Sequence, residues 1–90
     1  MPEQEKKTLL IADDEQIICK PLSLFFERKG YFVLTAADGE EARQVLVSMK
    51  VDAMIADLRM PKLTGIELIE KGLQINPDLA IVILSGAGSI

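Results

Sequence analysis

The sequence predicts an α/β domain in which helices cover both faces of a parallel β-sheet. Two observations lead to this prediction. Four short apolar runs of strand length alternate without exception with three segments whose apolar residues recur at helical spacing. The connections between these segments are short, and right-handed crossovers then lay successive strands parallel to one another in one sheet. The predicted order of elements is therefore β-α-β-α-β-α-β.

The first strand is predicted over Thr8–Ala12, and the first helix follows it. The apolar face of this helix has the spacing i, i+4, i+7 and i+8, and consists of Ile18, Leu22, Phe25 and Phe26. Pro21 lies inside the pattern, where it either removes one backbone hydrogen bond and kinks the helix or marks a late start. Gly30 is expected to end the helix. Phe32–Ala36, rich in β-forming residues, is the second predicted strand.

Two capping-box patterns predict where the other helices begin. Asp38 is followed three residues later by Glu41, and Thr64 is followed in the same way by Glu67. The predicted apolar face of the second helix is Ala42, Val45, Leu46 and Met49, and that of the third is Ile66, Ile69 and Leu73. Asn76-Pro77 is expected to end the third helix.

The third and fourth strands are predicted over Ala53–Ala56 and Leu79–Leu84. The fourth run is continuously apolar, so we expect it to be covered on both faces. It is also too short to cross a bilayer. The polar lead-in, residues 1–7, has no apolar signal segment. The sequence therefore predicts one domain over residues 1–90 and no membrane association.

Composition narrows the chemistry that the chain can perform. A net charge of −4 argues against nucleic acid as a direct partner. The chain has no histidine and one cysteine, which excludes histidine general bases and His- or Cys-ligated zinc. Cys19 cannot form an internal disulfide, which suits a reducing cytoplasm, and we expect it to fill space on a helix face. Any chemistry of this chain must therefore use carboxylates, hydroxyls and a metal that prefers oxygen ligands.

Polar residues directly follow three of the four predicted strands. These residues are Asp13, Asp14, Asp57 and Ser85. The carboxyl ends of parallel strands form the crevice in which open α/β sheets bind ligands. Three carboxylates that meet there must take up protons or share a cation, and all-oxygen ligation suits Mg²⁺ or Mn²⁺. An aspartate in contact with such a metal can attack a phosphoryl group.

Simpler interpretations of these residues remain open at this point. Asp57 could merely start a turn, since aspartate is common there and Pro61 prevents further strand pairing. Asp13 and Asp14 could cap the following helix. The hydroxyl of Ser85 could belong to an ordinary turn at a strand end.

Three sequence blocks together resemble the receiver domain of bacterial two-component response regulators. They are Asp13-Asp14-Glu15 after an apolar strand, Asp57-x-x-Met60-Pro61-x-x-x-Gly65, and Ser85-Gly86 after another apolar strand. The resemblance spans Thr8 to Ile90 and implies a flavodoxin-like three-layer sandwich with strand order 2-1-3-4-5. It implies a signalling domain rather than an enzyme, located in the cytoplasm and joined in a longer parent chain to an output domain.

The resemblance also implies a role for each site residue. Asp57 would accept a phosphoryl group from a sensor histidine kinase. Asp14, Asp57 and the backbone carbonyl of Arg59 would bind Mg²⁺, with Asp13 assisting through water. Ser85 would be the hydroxyl that moves toward the phosphate and switches the distal face.

The sequence departs from the family pattern at its carboxyl end. Family members have a fifth strand ending in Lys-Pro, whose lysine contacts the phosphate, and a fifth helix, whereas no lysine follows Lys71 here. We therefore expect an incomplete sheet of order 2-1-3-4 and poor phosphorylation. Without a fifth strand, the apolar fourth strand would present an open edge, which predicts a homodimer through that edge.

Three other functions remain as alternatives. A receiver could act as a scaffold that binds partners without phosphorylation. A haloacid-dehalogenase-like phosphatase also uses a strand-end aspartate, but it needs a second acid where Arg59 stands. Gly86-x-Gly88 after a strand is a weak sign of a nucleotide-binding fold, and the acids at the first strand–helix turn would repel phosphates.

Overall fold

The computed structural model describes residues 6–58 and 64–84, which form four strands and three helices in alternation. In chain order the elements are β1 (Thr8–Ala12), α1 (Gln16–Arg28), β2 (Phe32–Ala36), α2 (Gly39–Ser48), β3 (Ala53–Asp57), α3 (Gly65–Ile75) and β4 (Ala80–Leu84). Each strand pair is parallel, and the order across the sheet is β2-β1-β3-β4. The predicted alternation and the strand order 2-1-3-4 are confirmed.

Two apolar clusters lie on opposite faces of the sheet, because successive side chains of a strand point to opposite sides. On one face, strand residues pack with residues of α2 and α3; this cluster includes Leu10, Ala12, Met54, Ala56, Ala42, Leu46 and Leu68. On the other face they pack with α1; this cluster includes Leu9, Ile11, Ile55 and Cys19. The predicted three-layer arrangement is therefore confirmed.

The predicted helix boundaries agree with the structure. The Asp38 carboxylate accepts a hydrogen bond from the Glu41 N–H at 2.8 Å, and Thr64 and Glu67 form a reciprocal capping box. Gly30, with φ of 100°, follows the end of α1 in the left-handed conformation that glycine adopts most easily. α1 begins at Gln16 and continues through Pro21, so the alternative of a late helix start is wrong.

The buried face of α1 differs in part from the prediction. Cys19 is its most buried residue, with 1% of its surface exposed, and Leu22 and Phe26 pack in the same cluster. Phe25 is exposed, as is Met49 just after α2, so both were wrongly assigned to buried faces. The residues of α1 that pack on the sheet lie at positions i, i+3 and i+7, counted from Cys19. The sequence pattern instead included the large apolar residue Phe25 in the buried face.

The predicted buried stripe of α3 is wrong at two of its three positions. Ile66 is 61% exposed and Leu73 is also exposed, whereas Gly65, Leu68 and Gly72 are buried. Two glycines on the inner face let α3 approach its neighbours closely. Because glycine has no apolar side chain, a search for hydrophobic periodicity does not assign it to a buried face. Ile69 is half-buried and packs against the core, as predicted.

β4 is the outer strand of the described sheet and pairs there with β3. The expectation that both of its faces are covered is wrong for the described residues, because Val82 is 57% and Ile83 47% exposed. Leu79 is buried but precedes the strand, and Asp57 is the last residue of β3. No helix within residues 6–58 and 64–84 is long and apolar enough to span a membrane.

Candidate functional site

Strand register places the first and third acidic positions side by side. Ala12 of β1 pairs with Ala56 of β3, so Asp13 and Asp57 come next on adjacent central strands. One carboxylate oxygen from each of Asp13, Asp14 and Asp57 lies within 4.8 Å of the other two. The structure therefore brings together the three acids that the sequence placed at the carboxyl edge of the sheet.

Asp13 is the fixed member of this acid cluster. It is 1% exposed, its N–H donates to the Ala36 carbonyl at 3.0 Å, and its Oδ1 accepts from the Glu15 N–H at 2.9 Å. Asp14 is exposed and Asp57 is half-buried, so the cluster is open to solvent on their side. This hydrogen bond shapes the turn into α1, but Glu15 is the N-cap of that helix, so the interpretation of Asp13 as the helix cap is not confirmed.

The electrostatics of the cluster favour a positive charge. Burial raises the pKa of Asp13; the hydrogen bond from Glu15 lowers it, and the nearby charges of Asp57, Asp14 and Glu15 raise it further. Ionising a buried carboxyl next to other carboxylates is unfavourable unless a cation shares the site. The donor set consists of carboxylate oxygens, which suit Mg²⁺ or Mn²⁺. These residues therefore fit a divalent cation.

Cys19 is a neighbour of the site that the sequence did not reveal. Its Sγ donates a hydrogen bond to the Asp13 carbonyl oxygen at 3.3 Å. Burial raises the pKa of the Cys19 thiol, and the negative charges of Asp13 and Asp14 raise it further. The thiol is therefore protonated at neutral pH and acts as a donor. A cysteine at helical spacing gives no sequence signal for such a contact.

The other side of the site is fixed by the start of α3 and by β4. The Gly65 N–H donates to the Leu58 carbonyl at 3.2 Å, and the Leu58 N–H donates to the Leu84 carbonyl at 3.4 Å. These bonds hold the residue directly after Asp57. Arg59, Ser85 and Gly86-x-Gly88 lie outside the described residues, so the roles predicted for them stay predictions.

Comparisons with known proteins agree with this geometry. Residues 9–90 match the family described as the response regulator receiver domain. The transcriptional regulatory protein GlrR of Escherichia coli K12 is 39% identical over 82 residues, which cover 91% of this chain and 18% of GlrR. The chain thus spans less than a fifth of that regulator's length.

Solved structures show the same similarity. One is a response regulator of Burkholderia pseudomallei with a phosphorylated aspartic acid, calcium ion and citrate (30% identity, TM-score 0.86, covering 94% of this chain and 50% of that one). Another is TrrA of Thermotoga maritima in complex with Mg²⁺-BeF (32% identity, TM-score 0.83, covering 91% and 71%). The resemblance inferred from the sequence is thereby confirmed, and the chain belongs to the receiver domain family of two-component response regulators.

Proposed function

We propose that the chain accepts a phosphoryl group on Asp57 from a sensor histidine kinase. The observation that carries this proposal is the position of Asp57, half-buried at the end of a central strand and within 4.8 Å of two other carboxylates. The phosphorylated aspartic acid in the Burkholderia response regulator supports it. A nucleophilic carboxylate at this edge of the sheet is accessible to a partner's phosphoryl group.

Asp13, Asp14 and Asp57 would hold the divalent cation, Mg²⁺ or Mn²⁺, together with the backbone carbonyl of Arg59. The calcium ion and the Mg²⁺ in the two similar structures support this assignment. When bound, the cation offsets the negative charge that develops on the phosphoryl oxygens. Hydrogen bonds at the N–H and Oδ1 of Asp13 already fix the orientation of its carboxylate. Binding of the cation would therefore not have to order this side chain.

In the proposed step an oxygen of Asp57 forms a bond to phosphorus while the bond from phosphorus to the donor breaks. The electron pair of the broken bond leaves with the donor, and the phosphoryl group stays on Asp57 as an acyl phosphate. The hydroxyl of Ser85 would then hydrogen-bond the transferred group. Because the product is the modified protein itself, the function is that of a signalling switch rather than an enzyme. An output segment in a longer parent chain would read the switch.

Thermal unfolding with and without Mg²⁺ tests the proposed site. A ligand that binds only the folded state, at a tenfold excess over its Kd, adds about 1.4 kcal/mol to the free energy of unfolding. Asp57→Ala should lose most of this increase. Asp52→Ala is the matched control, because its carboxylate accepts from the Thr8 N–H at 2.8 Å at the opposite end of the sheet. It should lower stability yet keep the Mg²⁺ response. No response in the unmodified chain would contradict the proposal.

We also propose that the 90-residue chain forms a homodimer through β4. Val82 and Ile83 are exposed on this strand, which is the outer strand of the described sheet. β4 consists of Ala80–Leu84 and has no charge or proline to prevent pairing with another strand. A two-fold pairing of the two β4 edges would join their backbone groups and place these side chains beside those of the second copy.

A further inference from the structure

The thiol of Cys19 lies beneath the acid cluster, on the inner face of α1. Its Sγ is 3.3 Å from the Asp13 carbonyl oxygen, and the residue is 1% exposed. Cysteine is a weak donor, but a buried carbonyl oxygen that loses its partner is left unsatisfied. The contact joins the packed helix α1 directly to the residue that ends β1.

This contact completes a closed loop of hydrogen bonds. The Cys19 N–H donates to the Glu15 carbonyl at 3.1 Å, and the Glu15 N–H donates to Asp13 Oδ1 at 2.9 Å. The Cys19 Sγ–H donates to the Asp13 carbonyl and so closes the loop. With its own N–H bonded to Ala36, Asp13 is held at its N–H, its carbonyl and its carboxylate.

The Asp13 carbonyl matters because it belongs to the peptide unit that joins Asp13 to Asp14. That unit is planar, so the direction of the carbonyl also sets the direction of the Asp14 N–H and the position of its Cα. Asp14 is exposed and lies in the turn between β1 and α1. Rotation of this one peptide unit would therefore displace the Asp14 carboxylate relative to Asp57.

We propose that Cys19 is a positioning residue for the divalent-cation site, which acts by holding the peptide unit between Asp13 and Asp14. This inference rests on the proposed function, because it assumes that the acid cluster binds a cation. Residues that orient metal ligands from outside the coordination sphere typically change metal affinity by about 10–100-fold when they are removed. A neutral, weak donor belongs at the lower end of that range.

The experiment measures Mg²⁺ affinity and stability separately for four proteins. Calorimetric titration gives the Kd, and urea unfolding without metal gives the free energy of unfolding. Cys19→Ala removes the donor and should weaken Mg²⁺ binding by about tenfold. Cys19→Ser keeps a donor in the same position and should restore most of the affinity, even where the buried hydroxyl lowers stability. Dispersed amide spectra show that each variant is folded.

Leu22→Ala is the matched control. Leu22 is half-buried one turn later on the same face of α1 and packs in the same apolar cluster. Its truncation should lower stability by a similar or larger amount and leave the Mg²⁺ affinity unchanged. Unchanged affinity in Cys19→Ala, equal weakening in Cys19→Ser, or equal weakening in Leu22→Ala would overturn the inference. Failure of the unmodified chain to bind Mg²⁺ would instead refute the proposed site, and the inference with it.

Discussion

Gly65, the first residue of α3, lies directly against the main chain of Asp57. A Cβ at position 65 would be 2.7 Å from the Asp57 carbonyl oxygen and 2.6 Å from the Cα of Leu58, closer than real Cβ atoms approach backbone. Only glycine allows α3 to begin at this distance. The start of the helix therefore supports the backbone at the proposed phosphoacceptor.

Gly65→Ala should disturb both stability and the site. The added methyl meets backbone atoms that cannot rotate away, so we expect the free energy of unfolding to fall by about 1–3 kcal/mol. The Mg²⁺ affinity should fall as well, because Asp57 must move. Urea unfolding and calorimetric titration measure the two effects.

Gly72→Ala is the control for this substitution, because it makes the same change in the same helix. Its new Cβ would meet the end of a flexible side chain, Leu79 Cδ2, at 2.8 Å. Alanine also gains about 1 kcal/mol of helix propensity over glycine in a helix interior. We expect little net change in stability and an unaltered Mg²⁺ affinity. If both variants bind Mg²⁺ equally well, Gly65 does not support the site.

Asp57→Asn should stabilise the metal-free protein. The substitution removes one of three negative charges that lie within 4.8 Å of one another, and we expect a gain of about 1 kcal/mol or less at this partly solvated site. Urea unfolding in the presence of a chelator is the measurement. Asp52→Asn, at the other end of the sheet, should give no such gain. Destabilisation by Asp57→Asn would show that the carboxylates do not repel one another as the geometry indicates.

The stability of the metal-free protein should depend on pH through Asp13. Burial, followed by the charges of Asp57 and Asp14, raises the pKa of Asp13 in the folded state, although the Glu15 N–H opposes this. A carboxyl with a raised folded pKa binds its proton more readily when folded. Its contribution to stability is therefore full below the unfolded pKa of about 3.9, and it is lost as the pH rises through the folded value.

The test compares the unmodified chain with Asp13→Asn, which cannot ionise at this position. Subtracting the two pH profiles of unfolding free energy, measured with a chelator, removes the contributions of the carboxyls that do not interact with Asp13. The difference should favour the unmodified chain increasingly as the pH falls. Saturating Mg²⁺ should reverse the trend, because a cation favours the ionised carboxylate. A flat difference profile would contradict the assignment of the raised pKa.

The proposed β4 dimer predicts a mass that increases with concentration in light scattering. Ile83→Lys should abolish the increase, because a lysine on an exposed edge strand opposes pairing. Val47→Lys places the same charge at another exposed apolar residue, on α2, and should leave the dimer intact. A constant monomer mass at high concentration would refute the proposal.

Features that depend on nearby residues in the chain were predictable from the sequence. The caps at Asp38 and Thr64 require only a partner three residues later, and the acids follow from where apolar runs stop. Parallel pairing then aligns the strand ends, so the proximity of Asp13 and Asp57 could be predicted without coordinates.

Features that depend on tertiary packing were not predictable. The inner face of α3 is built on Gly65 and Gly72, and glycine contributes nothing to a hydrophobic pattern. The contact from Cys19 to the Asp13 carbonyl depends on how α1 lies on the sheet. Every residue of β4 is apolar, so its sequence could not indicate which side chains lack a packing partner. Val82, for example, is exposed.

The most direct test of the account is phosphorylation of Asp57. The 90-residue chain is incubated with acetyl phosphate and Mg²⁺, its intact mass is measured over time, and the modified residue is located. We expect the intact mass to increase by one phosphoryl group. The gain should disappear when Mg²⁺ is chelated and in Asp57→Asn. No gain at all, or a gain that persists in Asp57→Asn, would contradict the assignment of Asp57 as the phosphoacceptor.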